Sequence, residues 1–174
     1  MRITCVLLIS FFIFSSCSRT IYVVRHAEKT LPNDTTVKMM ANDPPLSEAG
    51  KVRAFVLRDQ LQSEHISHIY STNTLRTLST AEPLSKSIGV PIEIYNTRDS
   101  LDQLILKLKN EKGNALVVGH SNTVDDIVNK LMGKITIPSD LKDYEYDDLF
   151  VLHYKGKKVH YSMKKYGYPS NPEK

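Results

Sequence analysis

Cysteine is scarce: the chain of 174 residues has two. Two thiols cannot build a disulfide framework or an all-cysteine zinc site. Glycine, at seven residues, is too sparse for a collagen-like or glycine-rich low-complexity chain. No internal repeat is present, and no apolar run reaches the ~20 residues that a comfortable membrane span needs. Strong charge of one sign is missing too. The formal net charge of +4 is too mild to argue for a nucleic-acid partner, and no single basic helix or aromatic–basic segment stands out. What is present is ordinary for a soluble domain. With 24% charged and 41% hydrophobic residues, disorder is not expected. The length suits one domain and buries a full core without a metal or disulfide staple.

The apolar residues are unevenly spread. Residues 3–14, ITCVLLISFFIF, carry no charge; Met1 and Arg2 precede them, and Ser15, Ser16 and Cys17 follow. A short positive start, an apolar run of this length and then small residues make the pattern of a secretory signal peptide. The competing reading, a buried N-terminal strand or helix, fits worse, because the run has neither a polar face nor an internal turn signal. Phe14-Ser15-Ser16-Cys17 resembles a bacterial lipoprotein signal box, with Phe14 where leucine is usual. The expectation is that residues 1–16 are removed before Cys17, that Cys17 is lipidated, and that 17–174 form one domain. Residues 18–20 would then be a short tether to a bacterial membrane, facing the periplasm or the exterior. The alternative is an ordinary exported protein in which Cys17 is incidental. Cys5 would leave with the signal peptide, so the exported chain would carry no disulfide, consistent with life outside the cytoplasm.

Beyond residue 18 strand and helix patterns alternate. Ile21–Val24 reads as a buried strand. Ser47 can cap a helix from Glu48 to about Gln62, with Ala49, Val52 and Val56 on one face and Ala54, Leu57 and Leu61 beside it. Ile66–Ser71 is a second strand, followed by a helix from about Asn73 to Ser87 that Pro83 should kink or split. Pro91–Tyr95 is a third strand. Asp99 or Ser100 can cap a helix with Leu101, Leu104, Ile105 and Leu108 on one face, ended at Gly113. Ala115–Val118 is a buried strand, and Val124, Ile127, Val128 and Leu131 mark the next helix, stopped at Gly133. Leu149–Tyr154 and Lys158–Lys165 flank Lys155-Gly156-Lys157 as a hairpin. The pattern predicts an α/β fold: a three-layer sandwich with a mostly parallel central sheet, helices on both faces and a C-terminal antiparallel hairpin.

In open α/β sheets ligands bind at the carboxyl ends of the strands, and three strands end distinctively. The first runs into Arg25-His26-Ala27-Glu28. The second enters a helix carrying Arg76. The fourth runs into Gly119-His120-Ser121-Asn122. Two arginines and two histidines thus converge on one sheet edge, a costly arrangement unless something anionic completes it. Arg25 and Arg76 can each offer a planar fork to a phosphoryl group. Neutral imidazole is a good nucleophile, so His26 could attack phosphorus in line while His120 donates to the equatorial oxygens.

These motifs resemble the histidine phosphatase superfamily, the phosphoglycerate-mutase-like fold. The matching stretches are Val24-Arg25-His26-Ala27-Glu28, Ser71 through Arg76 to Thr80-Ala81, Gly119-His120-Ser121, and Asp43-Pro44-Pro45-Leu46-Ser47-Glu48-Ala49-Gly50. The resemblance implies that His26 is the phosphorylated nucleophile, and that Arg25, Arg76 and His120 complete the phosphate site. It implies a small phosphorylated substrate and neither cofactor nor metal. Ala27 stands where that family most often has glycine. The insertion that carries the acid and substrate contacts of the mutase branch is missing between Arg76 and His120, and His120-Ser121-Asn122-Thr123 lacks the acid motif of the phytase branch.

The general acid is the open position. Asp99 follows the third strand and can reach the same edge; Asp102 lies a turn deeper and Glu28 in the loop after His26, while Asp43 can be a loop cap. The function expected is a phosphohydrolase acting through His26. The alternatives are a phosphate-binding lipoprotein without turnover, or a phosphoglycerate-type mutase. His65-x-x-His68 has a spacing seen at metal sites but lacks further ligands nearby. Gly119-His120-Ser121-Asn122 is not a serine-hydrolase elbow, because no glycine stands two residues after Ser121.

Overall fold

The computed structural model describes residues 18–31, 43–96 and 101–170. The elements are β1 (Ser18–Arg25), α1 (Glu48–Leu61), β2 (Ile66–Ser71), α2 (Leu75–Ile88), β3 (Ile92–Ile94), α3 (Leu101–Asn110), β4 (Asn114–Gly119), α4 (Val124–Met132), β5 (Asp148–Lys155) and β6 (Lys158–Lys165). They form one six-stranded sheet in the order β3-β2-β4-β1-β5-β6. The first four of these neighbours pair in parallel; β5 is antiparallel to β1, and β6 antiparallel to β5. Helices cover both faces, as the alternation in the sequence implies.

The period-2 alternation of the buried strands sets the two cores. Ile21, Val23, Ala115, Val117, Phe150 and Leu152 point to one face, where Leu104, Ile105 and Leu108 of α3 and Val124, Ile127, Val128 and Leu131 of α4 pack on them. Tyr22, Val24, Leu116, Val118, Leu149 and Val151 point to the other, under Leu57 and Leu61 of α1 and Ala81 and Leu84 of α2. β1 and β4 lie at the centre with both faces covered, which is why they read as continuous apolar runs.

Four local expectations change. In α1 the buried face is Gly50, Arg53, Ala54, Leu57 and Leu61, whereas Val52 is 48% exposed. The helix is rotated because Arg53 reaches inward to the Glu28 carboxylate, with contacts of 2.6–3.0 Å, and because a Cβ at Gly50 would fall onto the Glu28 carbonyl oxygen. α2 is one continuous helix through Pro83. Pro83 and Ser79, whose carbonyl it leaves without a helical donor, are both partly exposed, so water can supply the missing bond. α3 ends at Asn110, with Gly113 (φ 90°) turning the chain into β4. Residues 18–20 are no tether: they are the first residues of β1, and Ser18 pairs with Lys155 of β5.

Ser47 caps α1 as expected, its side chain accepting from the Gly50 N–H. α2 is capped differently. Thr74 makes no side-chain cap, and the Asp43 carboxylate accepts from the Leu75 N–H at 2.8 and 3.0 Å. The expected caps of α3, Asp99 and Ser100, lie outside the described residues, as do the apolar run and Cys17. Among the described residues no helix is long and apolar enough to cross a membrane.

Candidate active site

β1 and β4 are parallel neighbours with Arg25 opposite Gly119. The chain therefore leaves both strands at the same level, and the His26 N–H donates to the Gly119 carbonyl at 2.9 Å. The first side chains beyond the two strands, His26 and His120, meet edge to face with ring centroids 5.5 Å apart. β2 lies on the other side of β4, and α2 starts four residues after β2 ends, which brings Arg76 in its first turn to the same edge.

His26 is 4% exposed. Its Nδ1 lies 2.8 Å from the Ala27 carbonyl oxygen. A carbonyl can only accept, so Nδ1 carries the proton and Nε2 keeps its lone pair. Burial, and then the nearby charges of Arg25, His120 and Arg76, outweigh that hydrogen bond and push the His26 pKa down to about 3. His120 is held down to about 4, chiefly by burial and then by Arg76 and Arg25, with Asp43 opposing. Its Nε2 is 2.9 Å from the Thr72 hydroxyl, and its Nδ1 is 3.4 Å from Nη2 of Arg76. Both imidazoles are thus neutral at physiological pH in the unliganded chain.

Arg25 is also 4% exposed. Its Nη1 donates to the carbonyls of Lys142, Asp143 and Glu145 at 2.8–3.2 Å, and its guanidinium lies 4.1 Å from the Tyr146 ring centroid. Its Nε–H is buried without an acceptor. A buried cationic donor left unpaired is expensive, and Arg25 lines the same cleft as His26. Arg76 is oriented by Asp43, whose Oδ1 lies 3.1 Å from Nη1. One carboxylate thus caps α2 and aims the arginine that α2 carries.

Arg25, His26, Arg76 and His120 line one cleft of about 540 Å³. Lys29, Leu101, Ser121, Asn122, Thr123, Asp126 and Asp143 complete its wall. The candidates for the acid fall elsewhere. Glu28 is bound to Arg53, away from the cleft. Asp102 has an 87% exposed side chain paired with Lys130 at 2.8 Å and does not line the cleft. Asp99 lies outside the described residues; Leu101, two positions on, is on the cleft wall. His65 takes a positive φ of 50°, while His68 stacks on Tyr70 and faces Glu111. Among the described residues no group of three His, Cys, Asp or Glu side chains is placed to hold a metal ion.

Several residues that hold the cleft side chains carry no local signal in the sequence. Tyr146 and the carbonyls of 142–145 reach Arg25 from about 120 positions away, through the pairing of β5 with β1. Thr72 gains its role only from the adjacency of β2 and β4.

The model of the histidine phosphatase superfamily (branch 1) matches residues 21–97. That stretch holds Arg25, His26 and Arg76; His120 joins them through the fold. The solved structure of Bacillus stearothermophilus YhfR is similar with a TM-score of 0.61 at 16% identity, covering 82% of this chain and 94% of that one. The chain has the histidine phosphatase fold. The structure of the protein histidine phosphatase SixA complexed with tungstate is likewise similar, with a TM-score of 0.64 at 14% identity over 84% of this chain and 96% of that one. In sequence, the chain is 30% identical over 90 residues to a protein named Probable phosphoglycerate mutase GpmB, from Photorhabdus laumondii subsp. laumondii. That match spans 52% of this chain and 41% of the relative, less than half its length. The family model thus matches less than half of the chain, and the solved structures extend the likeness in fold over most of it.

Proposed function

We propose that the protein is a phosphohydrolase that cleaves phosphomonoesters, or related phosphoryl groups, through a phosphohistidine on His26. The observation that carries this reading is the state of His26: a neutral imidazole with Nδ1–H tied to the Ala27 carbonyl and Nε2 left unprotonated, beside an arginine whose buried Nε–H has no acceptor. In the first step Nε2 attacks phosphorus, the N–P bond forms and the bond to the leaving oxygen breaks. Arg25 and Arg76 bind the non-bridging oxygens. His120 takes the proton of the bound phosphate monoanion at the nitrogen facing Arg76 and returns it as a hydrogen bond to the charge building on those oxygens. In the second step water attacks phosphorus, the N–P bond breaks and phosphate leaves. An acid must protonate the departing alkoxide and then take a proton from the water. We assign this role to Asp99, because Leu101, two positions on, lines the cleft while Glu28 and Asp102 do not; Asp126 and Asp143, which also line it, are the other carboxylates to test.

Turnover of an aryl phosphate and an alkyl phosphate tests the reading. His26→Ala should abolish both. Asp99→Asn should slow the alkyl ester far more, because an alkoxide needs a proton as it departs and a nitrophenolate hardly does. Phosphate binding without turnover of the aryl ester would instead leave a binding protein on this fold. A mutase reading has less support: between Arg76 and His120 the described residues hold only α2, β3, α3 and β4 with their short connections.

We also propose that the chain is exported and anchored through a lipid on Cys17. The uncharged run at 3–14 and the small residues before Cys17 support this. Cys17→Ser should release the protein from the membrane fraction with turnover intact. A variant that stays membrane-bound as before contradicts the anchor.

A further inference from the structure

The end of the sheet opposite the cleft is basic. Lys155, Lys157 and Lys158 crowd the β5–β6 turn, all exposed. Lys155 pairs with Ser18, so this turn lies beside the first residue of β1. Next along, Arg19 lies over the Tyr154 ring at 4.6 Å and donates to the carbonyl of Lys109, whose side chain is exposed. The Tyr154 hydroxyl donates in turn to the Leu131 carbonyl at the end of α4. That helix stops at Gly133 and presents Lys134 and Ile135, the latter 80% exposed. The Asn129 side chain accepts from the N–H groups of Thr136 and Ile137 and fixes this corner. Two carboxylates near this end accept from buried tyrosines, Glu64 from Tyr22 and Glu111 from Tyr70, and Glu111 also has Lys107 beside it. Exposed cations from three separate elements therefore share one end of the molecule with a protruding apolar side chain.

We propose that this end is a docking surface for an anionic phospholipid bilayer. Charge complementarity points to the occupant, because clustered Lys and Arg are drawn to acidic headgroups over about a Debye length, near 8 Å at physiological salt. The chain leaving the described residues points the same way: Cys17 immediately precedes Ser18, so any lipid there emerges beside the basic turn. Ile135 is the side chain placed to enter the interface. The surface fixes an orientation. β1 runs eight residues from this end to Arg25, roughly 23 Å at ~3.3 Å per step, so the cleft opens away from the bilayer. Its substrate then comes from the aqueous phase rather than from headgroups.

The test uses the full chain associated with vesicles of phosphatidylcholine alone, or of phosphatidylcholine mixed with phosphatidylglycerol. Lysines are labelled with a water-soluble amine reagent and mapped by peptide mass spectrometry. Labelling of Lys134, Lys155, Lys157 and Lys158 should fall severalfold on the phosphatidylglycerol vesicles, and high salt should restore it. Lys51 and Lys142, at the cleft end, should label equally on both. The double variant K157E/K158E should lose the protection and keep its turnover. Equal labelling on both vesicles, protection of Lys142 instead, or protection that survives the charge reversal would each overturn the proposal. The salt arm needs no variant, and turnover is read separately, so failure here is distinct from failure of the phosphatase reading.

Discussion

His26 and His120 are neutral because they are buried beside two guanidinium groups. In the unfolded chain histidine titrates near 6.5, so from there downward the unfolded state binds more protons. The stability that the two neutral rings contribute is full above about pH 6.5 and is lost as pH falls toward 4 and then 3. NMR titration should find both rings unprotonated at pH 5.5 in the free chain; a His26 midpoint near 6.5 would contradict the burial argument. Arg25 has a different vulnerability. Lysine in its place keeps the charge but cannot hold the three carbonyls of the 142–145 loop and still present a planar fork to a phosphoryl group. Arg25→Lys should lower kcat by roughly 10²–10³, measured on an aryl phosphate at saturation. Full activity would show that the free Nε–H is not used.

The loop after β1 shows how an element is held to its task. Glu28 is pinned by Arg53, which also donates to the Tyr166 and Tyr168 carbonyls. Arg53→Leu removes one partner of a pair that is mostly buried. It should cost about 3 kcal/mol, read as a lower denaturation midpoint, and should loosen the loop carrying His26. Unchanged stability would mean that water replaces the arginine there. Gly50→Ala should be destabilising as well, since the new Cβ would meet the Glu28 carbonyl. This pair also marks what helix periodicity could show. Ser47 as cap and Leu57 and Leu61 as core followed from pattern alone, but Arg53 as an inward residue did not. A charged side chain reads as solvent-facing until its partner 25 residues away is known. Pro83 misled for the related reason that an unpaired carbonyl is cheap where water can reach it.

Across the whole molecule, the sequence carried the alternation of strand and helix, and the ends of the strands carried the chemistry. Arg25, His26, Arg76 and His120 were legible because each sits within a few residues of a strand's carboxyl end, and parallel strands deliver such residues to one edge. The strand order was not legible: nothing local says that β4 inserts between β1 and β2, the step that sets His120 between His26 and Arg76. The same long-range pairing hides Tyr146 and places the basic turn beside Ser18. The central claim is that His26 Nε2 becomes covalently phosphorylated. Rapid quenching after mixing the full chain with a radiolabelled phosphoester, followed by peptide mapping, tests it most directly. The account predicts an acid-labile, base-stable label on the peptide holding His26, absent in His26→Ala. A label on another residue, or undiminished turnover in His26→Ala, would contradict it.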